Sequence, residues 1–322
     1  MPSAAGPERC QGCGETVKGN NTEPTGTSLF RLGSITKVFA TEVLASLVVD
    51  GSVRLTDPLQ RYAGNVTVPT YPGAGPITLL GLATHSAGLP REMGTAPDGT
   101  PPFTWPTRAD RWAWLPKTTL GWPRGRVAAY SNIGFDLLAD ALSTASGKPY
   151  PALLAARVTG PLGMTDTGFT PTPAQCTRLM LGTGIAPPGP CVDTSATDGS
   201  GGLYSTGDDM ARWLRHNLDA TDPALLLSHA IYRPRQALEA AIGFDEAGPM
   251  AGLGLGWVYV AGNGIRPTIL QKDGGGGGFM SYIAFAPGRQ TGVFVVVNRV
   301  DFGMFAGLTV AANDLLATLT TR

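Results

Sequence analysis

Between residues 252 and 298 the chain breaks into four short runs, "GLGLGWVYVA", "IRPTILQKDGG", "GFMSYIAFAPG" and "QTGVFVVVN". Each alternates or is rich in β-branched residues, and each is bounded by turn residues, the signature of antiparallel strands. The helical stretch "FAGLTVAANDLLATL" closes the chain, while the middle third reads as helix. There, "SNIGFDLLADALSTASGK" at 131–148 carries a serine or asparagine cap, an apolar stripe and Gly147 past its end. "STGDDMARWLRHNL" at 205–218 repeats the cap-and-helix signal, and "ITLLGLATHSAGLP" at 77–90 reads as a short buried helix ending at Gly88 and Pro90. This order predicts an α/β fold of the α+β type, an antiparallel sheet flanked by helices with an all-helical lobe inserted. The expected division is a sheet lobe from 1–56 and 200–322 and a helical lobe from 57–199, together one composite unit.

One stretch is harder to place. "GSITKVFATEVLASLVVDG" at 33–51 has Ile35, Val38, Phe39, Leu44, Leu47 and Val48 at helical spacing, with Gly51 to end it. An amphipathic helix follows, yet it opens with Ser34 and has Lys37 one turn later. Residues three apart share a helix face, with Cβ atoms about 5–6 Å apart. A lysine near a serine in a desolvated site has its ammonium disfavoured, and the neutral amine can accept the serine proton. On its own, S-x-x-K is equally an N-cap serine followed by a solvated lysine.

The 24 basic residues equal the 24 acidic ones, and no basic cluster with interleaved aromatics occurs. That excludes a nucleic-acid footprint and points to a small molecule or peptide as partner. The longest apolar runs, such as "GVFVVVN" at 292–298, fall far short of the roughly 20 residues of a membrane span. Cys10 and Cys13 form a C-x-x-C that no second pair or histidine cluster completes, so no metal site is expected. Cys176 and Cys191 bracket a proline- and glycine-rich loop that a disulfide would suit in an oxidising compartment. His85 in "THSAG" lacks the pattern of a catalytic histidine, since G-x-S-x-G and H-E-x-x-H are both absent, and reads as structural.

Two more stretches change the weight of Ser34 and Lys37: "YSN" at 130–132, opening the strongest middle helix, and "KDGGGGGF" at 272–279, at a predicted strand. Their order resembles the three-part signature of the serine penicillin-recognising enzymes, and Tyr-x-Asn the class C β-lactamase side of that superfamily. "LATHSAGLPRE", "FTWPTRADRW", "AYSNIGFDLLADALSTASGKPY", "PLGMTDTGFTPTPAQCTRLM", "GSGGLYSTGDDMARW" and "LGLGWVY" extend the likeness to AmpH-type D-alanyl-D-alanine carboxypeptidase/endopeptidases, from about residue 14 to the end.

The resemblance implies a β-lactamase/transpeptidase-like fold and a penicillin-binding serine hydrolase acting through an acyl-enzyme, without metal or cofactor. Its substrates would be peptidoglycan peptides or β-lactams. Ser34 would be the nucleophile, Lys37 would take or hold its proton, and Tyr130 would share base duty and protonate the leaving nitrogen. Asn132 would bind the substrate amide and Lys272 its carboxylate. The N–H groups of Ser34 and Gly275 would form an oxyanion hole, commonly worth about 3–4 kcal/mol. The glycine run from Gly274 would leave room for a substrate along the strand. The relatives' periplasmic location carries over in the same way. The rival expectations are a class C-like β-lactamase, a carboxylesterase, and a catalytically weak muropeptide- or penicillin-binding module.

Two departures qualify this. Asp273 stands where the superfamily has threonine, and its charge would repel a substrate carboxylate by about 4 kcal/mol at 4 Å and an effective dielectric near 20. The family's opening helix and first strand also have no counterpart, so the fold is expected without them, with less core and an exposed sheet edge.

Overall fold

The computed structural model describes residues 11–186, 188–219, 221–244, 248–263 and 266–320. A short strand, β1 (Leu29–Arg31), leads through a 3₁₀ turn at Gly33–Ile35 into α1 (Thr36–Val49). Helices α2 (Leu79–Ala83) and α3 (Arg108–Trp114), strand β2 (Val127–Ala129), and helices α4 (Asn132–Ser146), α5 (Tyr150–Leu154) and α6 (Pro173–Cys176) make up the middle. Strands β3 (Thr183–Gly184) and β4 (Tyr204–Thr206) and helices α7 (Gly207–Asn217) and α8 (Pro223–Ser228) follow. The chain ends with β5 (Arg233–Pro234), β6 (Ala240–Ile242), β7 (Met250–Leu253), β8 (Val258–Val260), β9 (Ile269–Gly276), β10 (Phe279–Ala286), β11 (Thr291–Val297), β12 (Arg299–Val300) and α9 (Phe302–Thr320).

The main sheet is antiparallel in the order β11-β10-β9-β8-β7-β5, and all four runs read from sequence supply its strands. Strand β10 shows why it is sandwiched. Phe279, Ile283 and Phe285 join the large core with α1 and α7, while Met280, Tyr282, Ala284 and Ala286 meet Phe305, Ala312 and Leu316 of α9. A period of two sends alternate residues to opposite faces, and both faces of this strand are covered by helix. Two small parallel pairs, β2 with β6 and β3 with β12, tie the middle of the chain to its end, and β1 pairs antiparallel with β4. Among the described residues before Leu29 no strand forms.

Helix α1 is enclosed more fully than the one-sided stripe read from its spacing. Thr36 to Ala45 are all buried, including Lys37 and Glu42, and α1 packs against α8 and α4. A helix apolar all round belongs inside a domain. Its end is as read: Asp50 caps it and Gly51 takes a left-handed φ of 79°. Helix α4 starts where Ser131 Oγ accepts from Gly134 N at 3.0 Å and stops at Gly147, φ 67°. The helix expected to reach Gly88 stops at Ala83, because Thr84 leaves helical geometry and His85 adopts a φ of 54°.

Helix α9 bears on the expected absence of a membrane span. It has 19 residues, and its most apolar 18 have a mean hydropathy of 1.4, long and apolar enough by length and composition to cross a membrane. Interspersed Gly, Thr, Asn and Asp hid this from a search for uninterrupted runs. Here the helix lies along β10 and β11, burying Phe305, Thr309, Ala312, Asn313 and Leu316.

Cys176 and Cys191 form a disulfide with Cα atoms 5.8 Å apart, closing a loop of sequence separation 15. Cys10 lies outside the described residues, and Cys13 is free and exposed. Closing such a loop restricts the unfolded chain by roughly 3 kcal/mol. Cys176→Ala is therefore expected to lower stability by about 2–3 kcal/mol in urea unfolding; a midpoint equal to that of the oxidised parent would refute it.

Candidate active site

Ser34 is placed by a turn that only glycine permits. Gly33 sits at φ 55°, and a Cβ there would come within 2.6 Å of Gly275 N. The bend lets the backbone of 33–34 lie directly against β9, while Leu32 N donates to Leu203 O at 2.9 Å and pins the preceding strand. Ser34 belongs to the 3₁₀ turn rather than to α1 itself, and it is half-buried, so its hydroxyl keeps access to solvent.

Lys37, in the first turn of α1, is 0% exposed. Its Nζ donates to Ser34 Oγ at 2.9 Å and to Ser200 O at 2.7 Å. Burial pushes its pKa down; Tyr130 resists this and Lys272 adds to it. An ammonium with one neutral oxygen on each side and a second cation nearby is poised to shed its proton.

Tyr130 stands between β2 and α4 with its ring in a cage. His85 stacks on it at 4.3 Å, Phe244 meets it edge-on at 5.6 Å, and the Arg91 guanidinium lies 4.7 Å from the ring centre. Lys37 Nζ and Lys272 Nζ are 5.0 and 5.1 Å from that centre. The phenol interacts with Ser34, Lys37 and Lys272. Burial opposes its ionisation, yet Lys272 and Lys37 outweigh that and hold its pKa below the ordinary tyrosine value. Lys272 is 2% exposed; burial disfavours its charge, but Asp273 and Tyr130 prevail and raise its pKa.

The fold thus brings Ser34, Lys37, Tyr130 and Lys272 together, from a turn, a helix, a loop and a strand. Gly274 and Gly275 adjoin them: a Cβ on Gly274 would meet Leu32 O at 2.1 Å and Ser34 N at 3.0 Å. Strand β8 pairs with β9 only at 269–271, so 272–276 has no strand neighbour on that side among the described residues. The space over the glycine run is largely taken by the protein itself. Gly276 and Gly277 lie under the Phe103 ring, and Gly278 packs on Gly182. Gly275 alone keeps an open approach, the nearest neighbours of a Cβ there being 3.9 Å away or more.

Asn132 and Asp273 are engaged in ways the sequence did not suggest. Asn132 Nδ2 donates to Glu92 Oε1, and Asp273 Oδ1 accepts from Lys272 Nζ at 2.8 Å. His85 is a wall of the site, not a base: Nδ1 accepts from Ser131 N at 2.9 Å, and burial with the neighbouring Lys37, Lys272 and Arg91 holds it neutral. Sequence reasoning overlooked Arg91, Glu92, Phe103, Phe244 and Ser200. Only the first two had a local signal, charges directly after an apolar helix and turn. Among the described residues no group of three or more His, Cys, Asp or Glu side chains could hold a metal ion.

A hydroxyl hydrogen-bonded to a buried amine, a phenol of depressed pKa and a bare backbone strand are the parts acyl transfer requires. The family model described as Beta-lactamase matches residues 10–317. The chain belongs to the beta-lactamase family. That makes it a serine hydrolase, and its α+β architecture is the family's. Over 312 residues, 95% of this chain and 80% of the relative, it is 46% identical to the D-alanyl-D-alanine-carboxypeptidase/endopeptidase AmpH of Escherichia coli K12. It is 26% identical to a Beta-lactamase of the same organism over 85% of this chain and 76% of that one. The solved Beta-lactamase/D-alanine Carboxypeptidase from Yersinia pestis superposes with a TM-score of 0.91 at 47% identity, covering 95% of this chain and 88% of its own.

Proposed function

We propose that this beta-lactamase-family hydrolase is a penicillin-binding peptidase that cleaves the D-alanyl-D-alanine end of peptidoglycan peptides through a Ser34 acyl-enzyme. The observation that carries the reading is the 2.9 Å contact of Lys37 Nζ with Ser34 Oγ inside a site that Tyr130 also enters. Ser34 Oγ attacks the carbonyl while its proton passes to the Lys37 and Tyr130 pair. The carbonyl oxygen gains charge against the N–H groups of Ser34 and Gly275. Tyr130 then protonates the departing D-alanine nitrogen, and the C–N bond breaks. Water repeats the attack on the ester, its proton returns through the same pair, and Ser34 is regenerated. Asn132 holds the substrate amide and Lys272 its terminal carboxylate. Such peptides lie outside the cytoplasmic membrane, so the periplasm is the proposed place of work, and the Cys176–Cys191 disulfide supports an oxidising compartment.

Incubation with a fluorescent penicillin, followed by intact mass, tests the reading. A long-lived adduct of one penicillin per chain, mapping to Ser34, is expected. Rapid turnover would make the protein a β-lactamase, and absence of any adduct would overturn the acyl-enzyme altogether.

One observation favours a second reading, a carboxylesterase. The Asp273 carboxylate already takes the hydrogen bond from Lys272 that a substrate carboxylate would claim. Neutral esters need not displace it. Asp273→Thr is expected to raise kcat/KM on a D-alanyl-D-alanine peptide about tenfold while leaving a neutral ester within about twofold, a differential of roughly 1.4 kcal/mol. Equal changes on both substrates would dismiss the idea.

A further inference from the structure

Asp136 sits in the first turns of α4 between Phe135 and Leu137, only 1% exposed. A carboxyl in such a place is costly unless it is paired. Ser200 Oγ donates to its Oδ2 at 3.0 Å, while Oδ1 has no hydrogen-bond partner among the described residues. The same Ser200 presents its carbonyl oxygen to Lys37 Nζ at 2.7 Å. One residue therefore links the buried acid to the amine beside Ser34. Its backbone is seated firmly: a Cβ on Gly199 would fall 2.0 Å from Phe135 O and 2.9 Å from Asp136 Cα, and Ser200 N donates to Thr197 O at 3.2 Å.

The charges around this chain come from several elements. Arg111 of α3, Asp140 of α4 and Lys37 of α1 face Asp136, and Tyr150 of α5 and the loop residue Asp198 complete its surroundings. Tyr130 and Lys272 of β9 face Lys37 from the other side. Burial raises the Asp136 pKa to about 7, with Arg111, Ser200 and Lys37 opposing. Its carboxyl thus changes charge within the ordinary working range. The anion favours protonated Lys37, and the neutral acid releases that hold.

We propose that Asp136 is a positioning residue for acylation, gripping Ser200 so that its carbonyl fixes Lys37, and tuning with its own charge the pH at which Lys37 becomes a proton acceptor. This rests on the acyl-enzyme reading above. The test is the pH dependence of fluorescent-penicillin acylation of the full chain, across about pH 5 to 9, for the parent, Asp136→Asn and Ser200→Ala. Asparagine removes the charge and keeps the shape. Ser200→Ala removes the hydrogen bond that stabilises the anion, so the carboxyl stays neutral to higher pH. In both variants the acidic limb is expected to move to lower pH by about one unit. A purely structural role would lower the rate at every pH and leave the limb in place. Variants that melt cooperatively yet keep the parent's limb would overturn the proposal; should Asp136→Asn fail to fold, Ser200→Ala decides alone. A parent that forms no adduct removes the acyl-enzyme reading and this one with it, whereas adduct formation with unmoved limbs removes only this one.

Discussion

Ser34→Ala is expected to abolish the penicillin adduct and to lower peptide hydrolysis on the order of 10⁶-fold, as when a nucleophile and its proton acceptor act as a unit. Lys37→Met keeps the hydroxyl but deletes the amine 2.9 Å from it, and is expected to slow acylation by about 10²–10⁴-fold. On the proposed mechanism Tyr130 remains as a second acceptor in that variant, which would set the floor. The double variant should be no slower than Ser34→Ala alone, because Lys37 has nothing to activate once the hydroxyl is gone. Intact mass and single-turnover rates read all three. A Ser34→Ala protein that still acquires a penicillin, or a Lys37→Met protein that acylates at the parent's rate, would refute the assignment.

Loss of Arg111 is expected to be the most damaging change to the fold. The guanidinium is 1% exposed, with Nε and Nη2 donating to Asp140 at 2.6 and 2.8 Å, and Nη1 to the carbonyls of Pro106 and Ala196. It also stands 4.0 Å from Asp198. Arg111→Met removes the buried cation of this cluster and leaves Asp140, among the described residues, only the half-exposed Arg108 at 3.3 Å and the Trp112 indole; breaking a buried pair in this way typically costs about 3–5 kcal/mol. The sign of the pH dependence follows from Asp136, whose folded pKa of about 7 exceeds the 3.8 of an unperturbed aspartate. A raised acid favours the folded state at low pH, and that contribution is lost as pH climbs from 3.8 through about 7. Arg111 restrains the rise for Asp136 and Asp198 alike, so its removal should hurt little at low pH, where both are protonated, and most above neutrality. Urea unfolding in mildly acidic and mildly alkaline buffer measures the difference. A loss below about 1 kcal/mol in both would show that the cluster does not depend on this residue.

The same buried cluster marks the boundary of what pattern reading reaches. Asp136 and Asp140 sit inside the apolar stripe from which helix α4 was read. An acid among leucines signals burial with a partner, but the partners lie on α3 and in the loop at 195–200. Lys37 is the same case in reverse: its place one turn after Ser34 was legible, but not its bond to Ser200, 163 residues along the chain. The glycine run was legible as bare backbone, and the fold assigned most of that bareness to Phe103, Ser34 and Gly182 rather than to a substrate.

The sequence by itself determined the four sheet strands, the capped helices and the spacing of Ser34 and Lys37, because periodicity, caps and short motifs act within a few residues of the chain; that Tyr130 and Lys272 belong with them was implied by the family resemblance. Only the tertiary structure decided that α1 is enclosed on all sides, that three cations surround the Tyr130 ring, that Asp273 holds Lys272, that Glu92 holds Asn132, and that Asp136 reaches Lys37 through Ser200. Those facts are distances and desolvation between remote segments, and neither exists until the core has closed around them.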